Sequence, residues 1–263
     1  VTRQRLDQLL VARGLATSRS EAQARILAGE VRLAEDPGRH LKPGQAVPDD
    51  VALELAERPR WASRAGEKLA AALDAFGVDP AGAACLDAGA STGGFTDVLL
   101  ARGARVVYAV DVGRGQLVER LRNDPRVVVM DRTNLRTLTS LPELIALATL
   151  DLSFISLGLV LPAVHRLLAP EGRVVALVKP QFEAGREAVP RGGVIRDPGV
   201  HRTVLLGVGA QARDAGLDPR AVIRSPITGT DGNVEFLALL VPGADGSGRT
   251  WADAVDALTA PSA

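Results

Sequence analysis

The sequence predicts an α/β chain in which a mostly parallel sheet flanked by helices follows a smaller α+β domain. Three observations lead there. Short apolar runs recur at 84–88, 106–110, 127–130, 144–150, 174–178 and 236–241, with helical or turn-rich stretches between most of them. A glycine-rich turn, Gly89-Ala90-Ser91-Thr92-Gly93-Gly94, joins the first run to Phe95, Val98, Leu99 and Leu100 at helical spacing. The first 57 residues pattern differently, as two short helices followed by two strand-like segments.

The glycine-rich turn makes strand, loop and helix the opening half of a Rossmann-like nucleotide-binding unit. Gly89, Gly93 and Gly94 let the backbone turn tightly and approach a ligand, and the helix behind them directs free N–H groups at the loop. The spacing departs from the Gly-x-Gly-x-x-Gly of dinucleotide sites. Asp87 precedes the first glycine, and an acid there suits an ammonium or sulfonium ligand. S-adenosylmethionine (SAM) fits better than NAD. The loop, with Ser91, Thr92 and Phe95, is expected to cradle the methionine part. Asp111, at the end of 106–110, is expected to hold the ribose hydroxyls, and Asp131, at the end of 127–130, the adenine amino group.

Composition narrows the class. The chain has 263 residues, 46% of them hydrophobic, enough for a normal core. Its single cysteine, Cys85, rules out a disulfide framework and fits a reducing cytoplasm. No apolar run is long enough to span a bilayer, and Arg3 and Arg5 are not followed by an apolar signal segment. His40, His165 and His201 lack ligand spacing, so no metal is expected. The formal net charge is zero, so any nucleic-acid signature must be local. Arginine supplies nearly every cation. The three lysines are Lys42, Lys68 and Lys179, and a lysine, unlike an arginine, can exchange its proton in a suitable environment.

In the N-terminal part, Leu6, Leu9 and Leu10 mark a helix stopped by Gly14. Ser18 and Glu21 form a capping box for a second, with Ala22, Ile26 and Leu27 on its apolar face and Gly29 at its end. Val31-Arg32-Leu33 and 51–55 read as strands, while 34–48 is too long and irregular for a tight hairpin. The patterns Arg-Leu-Asp-x-x-Leu, Ser-Arg-Ser-x-Ala and Gly-x-Val-x-Leu resemble an S4 RNA-binding domain over most of 3–55. The resemblance implies RNA contact through Arg3, Arg5, Arg19 and Arg25, by salt-sensitive backbone contacts largely indifferent to sequence. The expected organisation is an S4-like domain at 1–57, a linker at 58–62 broken by Pro59, and a catalytic domain at 63–263. Trp61 is expected to pack in a crevice between the two domains.

In the second domain a helix opens at Ser63 and runs through Phe76, with Lys68 in its first turns. The runs then end in Asp111, Asp131, Asp151 and Lys179, and Glu235 heads the last one. In an open α/β sheet the carboxyl edge is where ligands bind, so these groups converge on one rim. A short amphipathic tail helix is marked by Trp251, Ala254, Val255 and Leu258, and is expected to pack on this domain.

The motifs Ser-Arg-x-x-x-Lys-Leu, Leu-Asp-Ala-Gly-Ala-Ser-Thr-Gly-Gly-Phe-Thr, Asp-Leu-Ser-Phe-Ile-Ser, Val-Lys-Pro-Gln-Phe-Glu and Gly-Asn-Val-Glu resemble those of the TlyA (hemolysin A) family of rRNA 2′-O-methyltransferases, in the FtsJ-like group. The resemblance runs from about residue 3 to 241. It implies a SAM-dependent methyltransferase acting on cytidine in rRNA, in both 16S and 23S. It places a Lys-Asp-Lys-Glu tetrad on Lys68, Asp151, Lys179 and Glu235, and adds Arg64 of the first motif to the RNA contacts. In this scheme Lys179 lies closest to the 2′-OH, Asp151 orients it, and Lys68 with Glu235 sets the field and holds the ribose. One departure lies in the linker, where Pro59 and Ala62 replace the Arg and Val that some members carry around Trp61. Two other classes compete: a non-catalytic RNA-binding or ribosome-assembly factor, against which the intact tetrad argues, and a membrane-active hemolysin, against which the lack of a spanning segment argues.

Overall fold

A computed structural model describes residues 2–27, 30–36, 41–55, 60–229, 232–243 and 250–260. Gly29, His40, Arg58 and Pro59, to which the sequence assigned a helix end, a histidine and the altered linker, lie outside the described residues, as does the Leu27 side chain. The chain divides into two compact units, Val1–Arg60 and Trp61–Ala263.

The first unit holds strand β1 (Arg3–Arg5), helices α1 (Leu6–Ala12) and α2 (Arg19–Leu27), and strands β2 (Val31–Leu33), β3 (Ala46–Pro48) and β4 (Leu53–Leu55). β2 and β4 pair antiparallel, as the two alternating segments require. The irregular stretch between them contains β3, which pairs antiparallel with β1. Leu6, Leu9, Leu10, Ala22, Ile26, Val31 and Leu33 form the core of this unit. The expected capping box is rearranged. Ser18 Oγ accepts from the Glu21 N–H, while the Glu21 carboxylate takes the Thr17 N–H and hydroxyl.

Asp7 is the polar centre of this unit. It is fully buried and accepts from Arg5 at 3.0 and 2.9 Å, Arg19 at 3.0 Å and Gln23 at 2.9 Å. The Arg5 guanidinium first, then Gln23 and Arg19, hold its carboxyl well below the usual range. A depressed carboxyl contributes stability that is present above its unfolded pKa of about 3.9 and lost as pH falls through the lower folded value. Asp7→Asn is therefore expected to destabilise this unit by about 1–3 kcal/mol at neutral pH, the scale of charge-assisted hydrogen bonds. Hydrogen exchange of α1 and α2 measures the loss, and the gap to wild type should close only at pH values below the ordinary carboxylate range.

The second unit runs α3 (Ala65–Phe76), β5 (Ala84–Ala88), α4 (Gly94–Ala101), β6 (Val106–Val110), α5 (Glu119–Arg122), β7 (Val127–Met130), β8 (Ile145–Leu150), α6 (Leu161–Leu167), β9 (Leu168–Val178), α7 (Pro180–Glu183), α8 (Pro198–Asp214), β10 (Leu217–Arg224), β11 (Phe236–Pro242) and α9 (Trp251–Thr259). Its seven strands form one sheet in the order β10-β11-β9-β8-β5-β6-β7. The five from β9 to β7 are parallel, and their near-continuous apolar character follows from burial on both faces by two cores. The chain moves outward from β5 through β6 to β7, then returns to β8 on the other side of β5. This reversal is the switch point at which such sheets bind ligands. β11 runs antiparallel between β9 and β10. An antiparallel strand presents its start at the edge where its neighbours end, so Glu235 shares a rim with Asp151 and Lys179.

Trp61 is buried inside the second unit, and the expected linker therefore ends before it. A Cβ at Gly66 would overlap the indole, so glycine is needed for this packing. The Ala62 N–H donates to Asp97 at 2.8 Å, and Arg120 braces the same carboxylate, which fixes the entry to α3. The tail helix packs on α8. Its Trp251 lies against Gly209 and donates to the Leu205 carbonyl at 2.9 Å.

Candidate active site and nucleic-acid interface

Two cavities open on the carboxyl edge of the sheet. One, of about 390 Å³, is lined by Ser63, Arg64, Lys68, the loop residues Gly89 to Thr92, Gly94, Phe95, Asp151, Lys179, Thr228 and Glu235. The other, of about 460 Å³, is lined by Gly89, Ser91, Asp111, Val112, Gln116, Thr133 to Arg136, Asp151 and Leu152 to Ile155. Gly89, Ser91 and Asp151 belong to both, so the cavities meet at the switch point.

The structure brings the four tetrad residues together as two ion pairs. Lys68 Nζ lies 2.5 Å from Glu235 Oε2, with side chains 10% and 4% exposed. Lys179 Nζ lies 2.7 Å from Asp151 Oδ1 and donates to Ser153 Oγ at 2.9 Å. An ammonium has three hydrogens, and these contacts use two of those on Lys179. Its charge also sits 5.9 Å from the Phe182 ring centroid. Arg64 reaches over the same cavity and donates to the Thr228 carbonyl at 3.4 Å.

The loop after β5 is shaped by close approach. Gly89 has φ +84°, and a Cβ there would run into the Asp151 backbone carbonyl. Gly93, at φ +100°, caps α4. The Asp111 carboxylate is held at the cavity wall by the Ser91 N–H at 2.9 Å and the Gly113 N–H at 2.6 Å. Ionised carboxylates offer about four acceptor sites, so capacity remains for two hydroxyls. These features fit a nucleoside with a charged tail: an acceptor at one end, a glycine floor in the middle and backbone N–H groups beyond.

Three expected cofactor residues, Asp87, Gly93 and Asp131, do not line either cavity, and Gly93 serves instead as the cap of α4. Asp87 is fully buried beneath the loop. Its carboxylate accepts from Thr96 Oγ1 at 2.6 Å and is 3.4 Å from Thr149 Oγ1, tying α4 and β8 to β5. Burial pushes its carboxyl up to about 7, with Asp151 raising it further and Thr96 opposing. It supports the loop from below. Asp131 accepts from the Gly115 N–H at 3.0 Å and pairs with Arg122 at 3.3 Å, and these partners hold its carboxyl low. Thr133, Asn134 and Leu135 supply the wall where Asp131 was expected.

Phe154 lies in the Asp-Leu-Ser-Phe-Ile-Ser motif, without an assigned role there. It is 89% exposed at the cavity mouth, has φ +63°, and its ring lies 4.9 Å from that of Phe182. A bulky residue in that conformation is strained, and such strain clusters at functional sites. The signal available in the sequence was an aromatic in a chain with 3% aromatic residues, beside a strand-end acid.

In the first unit the expected RNA contacts divide. Arg5 and Arg19 are fixed by Asp7 with side chains 43% and 53% exposed, so both present charge at the surface. Arg3 donates to the Ala46 carbonyl at 2.7 Å from an exposed position. Arg25 is turned inward, 17% exposed, pairing with Glu21 and donating to the Leu15 carbonyl at 3.0 Å. It is a framework residue. Among the described residues no group of three or more His, Cys, Asp or Glu side chains could hold a metal ion, and no helix is long and apolar enough to cross a membrane.

Comparison with known proteins matches two family models: FtsJ-like methyltransferase over residues 61–241 and S4 domain over residues 4–47. The chain is 50% identical over 245 residues, 90% of each chain, to the 16S/23S rRNA (cytidine-2′-O)-methyltransferase TlyA of Mycobacterium tuberculosis. It is 40% identical over 237 residues, 89% of this chain and 98% of the other, to Hemolysin A of Brachyspira hyodysenteriae. Among solved structures it resembles a chain described as a hemolysin from Streptococcus thermophilus, with 42% identity, a TM-score of 0.74 and coverage of 98% of this chain and 94% of that one.

Proposed function

Because the chain belongs to the TlyA family of FtsJ-like methyltransferases, we infer that it methylates the 2′-oxygen of a cytidine in rRNA, in both the 16S and the 23S molecule, using SAM. The observation that carries this is the placement of two lysine–carboxylate pairs on one cavity wall, contiguous through Asp151 with a second cavity suited to a nucleoside. Ribosomal subunits as substrate set the place of action in the cytoplasm.

The cofactor supplies an electrophilic methyl group. The chain's own residues do the rest. A ribose hydroxyl is a poor nucleophile at neutral pH, so its oxygen must be oriented and its developing charge met by fixed donors. Lys179 is held by Asp151 and Ser153. As the ammonium it directs its remaining N–H toward the 2′-oxygen and stabilises the developing alkoxide; as the neutral amine it turns its lone pair there instead and takes the hydroxyl proton. Lys68 and Glu235, locked to each other, shape the wall against which the ribose rests. Phe154 offers an exposed ring at the mouth, where an unstacked base can lie. Arg64 meets the backbone beside it, while Arg3, Arg5 and Arg19 engage phosphate from the S4 unit.

Asp111 holds the cofactor ribose. Asp111→Ala is expected to weaken SAM binding by roughly 10–100-fold, the equivalent of losing about 1.5–3 kcal/mol of charge-assisted hydrogen bonding. Isothermal titration calorimetry reads this directly, and unchanged affinity would remove Asp111 from the role.

The deciding experiment incubates the protein with labelled SAM and separate 30S and 50S subunits lacking the modification. Label on a cytidine 2′-oxygen in both is expected. Label on one subunit alone narrows the substrate. SAM binding without label on either points to another RNA, and absence of both label and binding returns the chain to an assembly role.

A further inference from the structure

Lys179 and Glu183 both belong to the Val-Lys-Pro-Gln-Phe-Glu motif, and the mechanism uses only the lysine. Glu183 ends α7, the turn of helix that Lys179 begins as its N-cap residue. Its carboxylate crosses to the segment following β8. There it accepts from Ser156 Oγ at 2.7 Å and from the Leu157 N–H at 2.8 Å. Leu157 opens a short 3₁₀ turn, Leu157–Leu159, whose cap residue is Ser156. Helical turns leave their first N–H groups without internal partners, and a carboxylate is a strong acceptor for them. The Ser156 side chain does not cap this turn itself. Gln211 of α8 completes the anchorage by accepting the Gly158 N–H at 3.0 Å.

The anchored segment carries Asp151, Ser153 and Phe154. At its other end the Asp151 N–H donates to the Ala88 carbonyl at 2.9 Å, which ties it to the sheet. Between the two anchors lies irregular backbone with a phenylalanine at positive φ, a conformation that costs about 1–3 kcal/mol and persists only where its surroundings over-determine it. Burying a carboxylate is costly too. Burial pushes Glu183 above its ordinary value, and the Leu157 N–H and Ser156 hydroxyl pull it back. Phe182, next to Glu183, adds a second contact across the same gap through the Phe154 ring.

We propose that Glu183 is a positioning residue for methyl transfer: it ties the segment bearing Asp151 and Ser153 to the one bearing Lys179, and so holds the lysine ammonium between its two acceptors. It touches neither cofactor nor substrate in this role. The proposal rests on the methyltransferase function above, so its test has one readout that needs no activity.

Glu183→Ala frees the Leu157 N–H, and hydrogen exchange across 152–158 is expected to rise at least tenfold, with exchange in β5 and α4 unchanged. In methyl-transfer assays kcat is expected to fall by 10–100-fold while KM for SAM stays within twofold. Glu183→Gln keeps one acceptor oxygen for Leu157 and can donate to Ser156 Oγ, so it should restore most of the rate. Ser156→Ala and Glu183→Ala should combine non-additively, since both open the same anchor. Unchanged exchange at 152–158 would overturn the proposal whatever the enzyme methylates. So would exchange that rises with kcat within twofold of wild type, or a parallel loss of SAM affinity and rate, which would make Glu183 a general packing residue. Wild-type protein that methylates no rRNA, with the exchange result intact, would fault the functional reading and leave the anchor standing.

Discussion

Lys179→Ala lowers methyl transfer by about 10²–10⁴-fold, the range spanned by loss of a preorganised donor or a general base, and leaves SAM affinity within about twofold. The separation follows from geometry. Lys179 lines the tetrad cavity and not the one that contains Asp111, and its partners are Asp151 and Ser153. Single-turnover label transfer measures the rate, and calorimetry the affinity. Lys179→Arg should not rescue, because a planar guanidinium cannot take the place of a compact ammonium between two acceptors 2.7 and 2.9 Å away. Turnover retained in the alanine variant would remove Lys179 from the reaction.

Lys68→Met has the largest expected effect on stability. The side chain of the partner Glu235 is only 4% exposed, and removing the lysine leaves that charge buried and unpaired. Breaking such a pair costs about 3–5 kcal/mol, or roughly 6–20 °C in Tm for a unit of this size. Replacing both partners by apolar groups is often neutral, so Lys68→Met combined with Glu235→Leu should recover much of the lost stability. It should not recover activity. Thermal denaturation with parallel methyl-transfer assays distinguishes the two losses. A Lys68→Met protein as stable as wild type would contradict the burial of the pair, and an active double variant would make the pair structural only.

The parallel strands and their terminal groups were legible because burial on both faces forces near-continuous apolar runs, and because strand ends in such sheets point at the ligand edge. The antiparallel β11 was legible as a strand, and its position beside β9 explains why Glu235 precedes its strand while Lys179 follows one. β10 was not, since it is an edge strand broken by an irregularity between Pro219 and Ala221, with little continuous apolar character. β1 and β3 were missed because Arg3–Arg5 is wholly polar and Ala46–Pro48 ends in a proline, so neither shows the apolar alternation that marks Val31–Leu33. Asp87, Asp111 and Asp131 look alike in sequence, each at the end of an apolar run. They differ in placement. Asp87 is still within β5 and points into the packed interior, Asp111 lies just beyond β6 on the cavity wall, and Asp131 lies a strand further from the switch point. The sequence locates a strand end but not the direction of the side chain there. Ser153, Phe154 and Glu183 are brought to the site by contacts of the segment after β8 with Lys179 and α7, which no local pattern encodes.

The pair that joins Lys68 to Glu235 spans 167 residues of chain. Translation delivers the S4 unit first, the lysine soon after, and its carboxylate only when β11 has emerged. Domains generally fold as units as the chain is made, N-terminal part first. A nascent chain therefore has its candidate RNA-docking unit complete while its catalytic cavity still lacks one wall. Until then Lys68 has no carboxylate to neutralise it and the sheet ends at β9, short of two strands. The site is thus complete only once β11 has joined the sheet and brought Glu235 to Lys68.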